Sequence, residues 1–329
     1  MRERLLVIGG GAAGMSAASA ARRADPDLEI VALEATGWAA YGLCGLPYYL
    51  AGLVAVPEAL LACSPRFFRE ERRIDLRLHA RVTGLDPDRG TVCFRQDGRP
   101  RRLGWHRLVV ASGGAPALPP LPGVDEEAVF TVRAMEDAVA LRSLLDAGRI
   151  GHALVVGAGY IGLETAEALA ARGCRVTVAE LLPRVMPNLD EEVAALVEDE
   201  VRRQGVDLRL GARVEELGRR RGQLEALVDG EPLAVDAVVL AVGVRPNGGL
   251  AAAAGARTVP GGALLVDEGM RTSLPGVLAA GDCVAPYHLI LGRPAFVPLG
   301  LDLSYAPVYD PVLLAAQAAA SRCAAGAAG

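Results

Sequence analysis

The chain contains no lysine: all 34 of its basic residues are arginine. That excludes any chemistry built on a lysine amine, including Schiff bases and the phosphate-gripping lysine of a P-loop. Aromatic residues are scarce at 4%, the formal charge is −5, and no basic block occurs, so there is neither a stacking platform nor an electrostatic footprint for nucleic acid. No apolar run reaches the roughly 18–20 residues needed to span a membrane. The six cysteines (Cys44, Cys63, Cys93, Cys174, Cys283, Cys323) include no C-x-x-C pair and form no metal-like cluster with histidine, so no metal is expected and a reducing cytoplasm fits their scatter. Arg2, Arg4 and the apolar run behind them have the outline of a secretory leader, but Gly9, Gly10 and Gly11 break its apolar core. What remains is a compact, alanine-rich composition, 52% hydrophobic and 22% charged. At 329 residues it has length for about two domains of roughly 150 residues each.

The strongest feature is an internal repeat. Leu5 to Ile8 runs into Gly9-Gly10-Gly11-Ala12-Ala13-Gly14, and Ala153 to Val156 runs into Gly157-Ala158-Gly159-Tyr160-Ile161-Gly162. Each copy reads as a buried strand, a G-x-G-x-x-G turn and a helix, to about Ala24 and about Arg172. A second strand follows, ending on Glu34 in one copy and Glu180 in the other. The spacing is that of a dinucleotide cradle: the first glycine turns the chain, the second admits a pyrophosphate to the backbone, and the third lets helix and strand pack closely. The acids are placed to accept ribose hydroxyls and repel a 2′-phosphate, which favours NADH; Arg184 keeps NADPH open.

A third repeat pairs Leu108 to Pro116 with Val238 to Pro246, each an apolar strand stopping at glycine and proline, as a crossover out of a sheet would. Pro116 to Pro122 is then a linker, and surface helices are expected around Met135 to Asp146 and Leu189 to Gln204. Asp282, after Gly281 at a strand end, is a candidate polyol contact for FAD. Cys44, in Tyr41-Gly42-Leu43-Cys44-Gly45-Leu46-Pro47, falls at the carboxyl edge of the first repeat, and a helix starting near it would favour its thiolate. The other five cysteines read as packing residues.

These motifs, with Ala280-Gly281-Asp282-Cys283 and Arg293 to Gly300, resemble the pyridine nucleotide-disulfide oxidoreductases, and among them the single-cysteine branch of coenzyme A-disulfide and persulfide reductases. The resemblance implies an α/β fold with two Rossmann-like domains of the glutathione reductase-like FAD/NAD(P)H type. FAD would lie on Gly9, Gly11, Ala12, Ala13 and Gly14, with Glu34 and Asp282 as ribose and ribitol partners and Ala111, Ser112, Gly113 and Gly281 around it. NAD(P)H would lie on Gly157, Gly159, Ile161 and Gly162, with Glu180 and Gly243, Tyr160 as a lid over the flavin and Glu164 near the nicotinamide. Cys44 would be the redox sulfur, with Ser16, Arg22 and Arg23 toward a low-molecular-weight disulfide or persulfide substrate. The resemblance places an FAD domain at 1–114 and 247–300 and an NAD(P)H domain at 115–246.

The chain also departs from the family. Ala12 stands where the NADH oxidases and peroxidases carry a histidine, which argues for sulfur over oxygen. Ala40 and Leu43 replace polar residues common in coenzyme A-disulfide reductases. After Gly300 the sequence jumps to Leu301 to Pro307, similar to the family's extreme C-terminus, so an internal deletion is expected, with 301–329 as a residual segment carrying a short helix near Asp310 to Arg322. Tyr305 matches a tyrosine that reaches the partner subunit's site, and with the interface domain largely absent the family's homodimer stays open. Two other readings stay open with it: an NADH:acceptor flavin reductase with an incidental Cys44, and a non-catalytic nucleotide-binding remnant.

Overall fold

The computed structural model describes residues 3–288 and 292–296. Within them the repeat becomes two copies of one topology. The first runs β1 (Arg4–Ile8), α1 (Ala12–Ala24), β2 (Glu29–Leu33), α2 (Leu46–Ala51), α3 (Pro65–Glu70), β3 (Asp75–Arg77), an antiparallel meander of β4 (Ala80–Asp86), β5 (Thr91–Gln96) and β6 (Arg99–Gly104), and then β7 (Arg107–Val110). A ribbon strand, β8 (Gly114–Pro116), leads out to β9 (Val129–Phe130) and α4 (Met135–Asp146). The second copy is β10 (His152–Val156), α5 (Tyr160–Ala171), β11 (Arg175–Glu180), α6 (Glu191–Arg203), β12 (Asp207–Leu210), a meander of β13 (Val214–Arg220), β14 (Gln223–Val228) and β15 (Glu231–Val235), and β16 (Ala237–Leu240). The chain returns through β17 (Val244–Pro246) to α7 (Gly249–Ala253), β18 (Leu264–Leu265) and β19 (Val277–Ala279).

Two five-stranded parallel sheets result, ordered β19-β7-β1-β2-β3 and β12-β11-β10-β16-β9. The position β19 fills late in the chain for the first sheet is filled early for the second by β9. Strands buried on both faces must be apolar throughout, which is why β1 and β10 read as unbroken runs. Leu5 and Val7 face α1 through Met15 and Ala18, while Leu6 and Ile8 face the meander through Val92 and Phe94. In the second sheet Ala153 and Val155 face the helices, and Leu154 and Val156 face Leu224, Ala226 and Val228 of the other meander.

The meanders were not part of the sequence expectation. Their signals are two-residue turns, Asp97-Gly98, Arg221-Gly222 and Asp229-Gly230, in which both residues have positive φ as tight hairpins require. The two expected crossovers lie side by side: β8 pairs antiparallel with β17, Ala115 opposite Arg245.

At the edge of the second sheet away from the glycine turn, His152 Nδ1 lies 3.1 Å from the Ala234 carbonyl and Nε2 lies 3.0 Å from the Thr177 hydroxyl. Burial, reinforced by Arg175, holds its pKa below the ordinary histidine value. Folding therefore favours neutral His152, and its contribution to stability is complete above the unfolded pKa of about 6.5 and declines as pH falls through that value toward the lower folded one. Thermal melts at pH 8 and pH 5.5 should show a smaller acid-induced loss of Tm in His152→Gln than in the parent chain; equal losses would contradict this assignment.

Candidate functional site

Both glycine turns are built alike. Gly9 has φ +108°, and a Cβ there would fall 2.0 Å from the Ala111 carbonyl oxygen; a Cβ on Gly14 would fall 2.0 Å from the oxygen of Gly9. In the second copy Gly157 has φ +104° and its Cβ would lie 2.5 Å from the Ala241 oxygen, while that of Gly162 would lie 2.0 Å from the oxygen of Gly157. The middle glycines differ: a Cβ on Gly11 or Gly159 would meet nothing within 4 Å. Gly11 and Gly159 are the N-cap residues of α1 and α5 and supply no side-chain cap. The first and third glycines are thus closed against backbone, and the middle one opens onto space in front of uncapped helix N–H groups. That arrangement fits a pyrophosphate.

The strand-end acids do more than the spacing foretold. Glu34 Oε2 accepts the Gly10 N–H at 2.7 Å, and Oε1 accepts the backbone N–H and hydroxyl of Thr36 at 2.8 Å. Glu180, buried, accepts the Ala158 N–H on Oε2 at 2.7 Å and the Leu182 N–H on Oε1 at 2.8 Å. Each acid therefore braces its own glycine turn. A carboxylate oxygen has two lone pairs, so acceptance of a ribose hydroxyl remains compatible with this bracing.

Around the first cradle, the Ser112 hydroxyl donates to the Asn247 carbonyl at 2.7 Å, and Asn247 returns its own N–H to Gly113 at 2.9 Å. Gly113 and Gly243 both have positive φ and open surroundings. Gly281, at φ +79°, lies against Ala13, where its Cβ would come within 2.8 Å of the alanine Cβ, so the loop carrying Asp282 crosses the start of α1. Asp282 has a protein partner as well: its carboxylate, 12% exposed, is ion-paired to the guanidinium of Arg133, 9% exposed, whose Nε also donates to the Gly114 carbonyl. Arg133 was not anticipated, because only the tertiary fold brings it across 149 residues to Asp282.

Arg22 is engaged by the fold itself. Its guanidinium donates through Nε to Arg72, through Nη1 to Asp25 and Pro26, and through Nη2 to Arg73, all backbone carbonyls. It ties the end of α1 to the loop after α3, leaving Arg23 and Ser16 as the exposed members of the expected substrate set. Burial, with Arg73 nearby, lowers the Arg22 pKa.

The Cys44 segment leaves β2 and is tied to the glycine turn by the Ala40 N–H, which donates to the Gly10 carbonyl at 2.8 Å. A helix does start near Cys44: the residue, half-buried, sits in a 3-10 turn, Leu43–Gly45, that runs into α2 at Leu46. Leu46, Tyr49 and Leu50 of α2 are buried in the core of the second unit with Met135, Leu141 and Leu169. The Tyr41 hydroxyl accepts the Met135 N–H at 3.3 Å, and burial pushes its pKa up to about 12. The thiol therefore lies at the seam between the two nucleotide-type units. On the facing helix, Tyr160, Ile161 and Glu164 open α5, all half-buried, and burial raises the Glu164 pKa, with Glu167 adding to it. Tyr305 and the helix expected near Asp310 to Arg322 lie outside the described residues.

Residues 3–305 match the family model described as pyridine nucleotide-disulphide oxidoreductase. The chain belongs to this family. A family relative named NAD(P)H sulfur oxidoreductase (CoA-dependent), from Pyrococcus abyssi, is 38% identical over 300 residues, 91% of this chain and 66% of the relative. A protein named NADH oxidase from Methanocaldococcus jannaschii is 35% identical over 299 residues, 90% of this chain and 66% of that protein. The solved structure of an NAD-dependent persulfide reductase from A. fulgidus superposes with a TM-score of 0.87 at 39% identity, over 90% of this chain and 56% of that one. The chain thus spans about two thirds of the length of these curated relatives and a little over half of the solved reductase.

Proposed function

We propose that this member of the pyridine nucleotide-disulphide oxidoreductase family is an FAD-dependent NAD(P)H oxidoreductase that reduces a low-molecular-weight disulfide or persulfide through Cys44. The observation carrying this reading is the pair of open glycine cradles with a half-buried thiol at the seam between them. The first cradle, with Glu34, would hold FAD, and the second, with Glu180, would hold NADH; the FAD domain comprises 1–114 and 247–300 and the NAD(P)H domain 115–246. FAD, when bound, supplies the two-electron relay between hydride and sulfur. The residues of the chain do the rest: Glu34 and Glu180 keep the turns shaped, Tyr160 and Glu164 face the nicotinamide side, and the Cys44 thiolate attacks the substrate sulfur, expelling one thiolate and forming a mixed disulfide or persulfide. Among the described residues no helix is long and apolar enough to cross a membrane, and a reducing cytoplasm suits a thiol that must cycle.

The purified protein is expected to be yellow, or to become so with added FAD, and anaerobic NADH should bleach it. A colourless protein that takes up no FAD would overturn the reading. A second reading, an NADH:acceptor reductase in which Cys44 is incidental, is favoured by the relative named NADH oxidase. Against it stands Ala12, where the oxidases of the family carry a histidine.

A further inference from the structure

Beyond the cradles, one knot of side chains joins the two units at the seam that carries the thiol. Arg142 of α4, its side chain only 13% exposed, reaches the far end of α2. Its Nη1 donates to the Tyr49 carbonyl and, at 3.4 Å, to that of Val54, and its guanidinium carbon lies 5.0 Å from the centre of the Tyr49 ring. Its Nε donates to both carboxylate oxygens of Asp146, at 2.8 and 2.9 Å. Asp146 is shared with Arg172, the C-cap residue of α5. These arginines hold the Asp146 carboxyl below its ordinary pKa. A cation from the second unit thus closes the C-terminal end of a helix whose opposite end follows Cys44.

A six-residue helix is too short to persist by itself, and the local cap at its end, the Gly52 N–H donating to Tyr49 and the Leu53 N–H to Tyr48, holds it to no other element. The Arg142 cation adds a second donor to the Tyr49 carbonyl, ties that end of α2 to α4 and opposes the helix dipole. The apolar side of α2 is buried in the second unit by Leu46, Tyr49 and Leu50, but apolar burial is non-directional and sets no axial position. The Arg142 bonds are directional. Cys44 lies two residues ahead of the first residue of α2, so whatever pins α2 aims the thiol.

We propose that Arg142 is a positioning residue for Cys44, holding α2 so that the thiol presents to the incoming disulfide under control of a side chain from the nicotinamide-side unit. The proposal rests on the reading of Cys44 as the redox sulfur. The planar fork matters, because one guanidinium meets two carbonyls and a carboxylate at once, which a lysine ammonium does with less geometric constraint.

The test uses the full chain loaded with FAD and compares Arg142→Met and Arg142→Lys with the parent. In Arg142→Met, kcat for disulfide reduction should fall by about tenfold or more, the expected cost of a misplaced reacting group. KM for NADH and the rate of NADH-driven dye reduction should stay within about twofold, since hydride acceptance needs no sulfur. Alkylation of the Cys44 peptide by iodoacetamide, read by mass spectrometry against Cys44→Ser as blank, should quicken by about threefold or more as α2 loosens. Arg142→Lys should fall between the two on both readouts. Parent-like alkylation and disulfide kcat in Arg142→Met would overturn the proposal. So would a parallel loss of dye and disulfide reduction with shed flavin, which would mark Arg142 as a general fold residue. The alkylation measurement scores Arg142 without turnover, so a Cys44→Ser protein that still reduces disulfide would overturn the functional reading separately.

Discussion

Cys44→Ser is expected to lower NADH-dependent disulfide or persulfide reduction to below about 1% of the parent rate, while NADH-driven reduction of an artificial dye stays within about twofold. Serine is nearly the same size as cysteine, and the site is half-buried in a 3-10 turn, so the fold should tolerate the change. What it removes is the sulfur that forms and releases the bond to substrate in the proposed reaction; a serine hydroxyl, with its far higher pKa, does not exchange with disulfides. Transfer of hydride from the second cradle toward the first involves no sulfur and should persist. The two rates measured side by side separate the competing readings. Disulfide turnover that survives in the variant would make Cys44 a packing residue and leave the acceptor-reductase reading in place.

Gly9→Ala should have the largest effect on cofactor retention. The position carries φ +108°, where an L side chain is strained, and the new Cβ would be driven to 2.0 Å from the Ala111 carbonyl oxygen, a backbone atom immediately after β7 that cannot rotate away. Left-handed strain of about 1–3 kcal/mol and overpacking of about 1–3 kcal/mol act together, and relief requires β1 and β7 to part or the turn to open. Either movement also displaces the Gly10 N–H from Glu34. The variant should purify without flavin and melt well below the parent, with added FAD restoring little colour. A yellow Gly9→Ala protein with the parent's Tm would show that the turn does not form the cradle described. Gly11→Ala makes the informative contrast, since a Cβ there meets no protein atom within 4 Å. It should leave Tm near the parent's and weaken only FAD.

Much of the architecture was legible because parallel strands buried on both faces must be apolar throughout. Leu5 to Ile8 and Ala153 to Val156 therefore stand out against their flanks, and the glycine spacing after them follows from backbone geometry that acts within a few residues. The helix at Met135–Asp146 was read correctly from its periodicity. The meanders are harder to read although Asp97-Gly98 and Asp229-Gly230 announce hairpins, because only their central strands β5 and β14 alternate in burial while β6 and β15 are largely exposed. The second role of Glu34 and Glu180 could have been suspected, since an acid at the end of one strand faces the turn that ends its neighbour. The helix start near Cys44 was legible too, because Gly45-Leu46-Pro47 puts proline in the first turn of α2.

What the sequence by itself determined is local: two strand–turn–helix–strand units, the residue types their turns require, and an acid and a cysteine at set distances after the first. Those features depend on bonds and contacts between residues close in the chain. The tertiary structure alone decided which distant charges meet. Arg133 closes on Asp282 across 149 positions, Arg22 is drawn into the carbonyls of the loop after α3, and Arg142 leaves its own unit to cap α2. In a chain whose 34 cations are all arginine, nothing in the residue itself distinguishes the one that closes a helix from the one that faces water. The physical reason is that a guanidinium's role is set by which carbonyls and carboxylates are desolvated beside it, and that follows from how two apolar units pack, not from the order of the residues along either one.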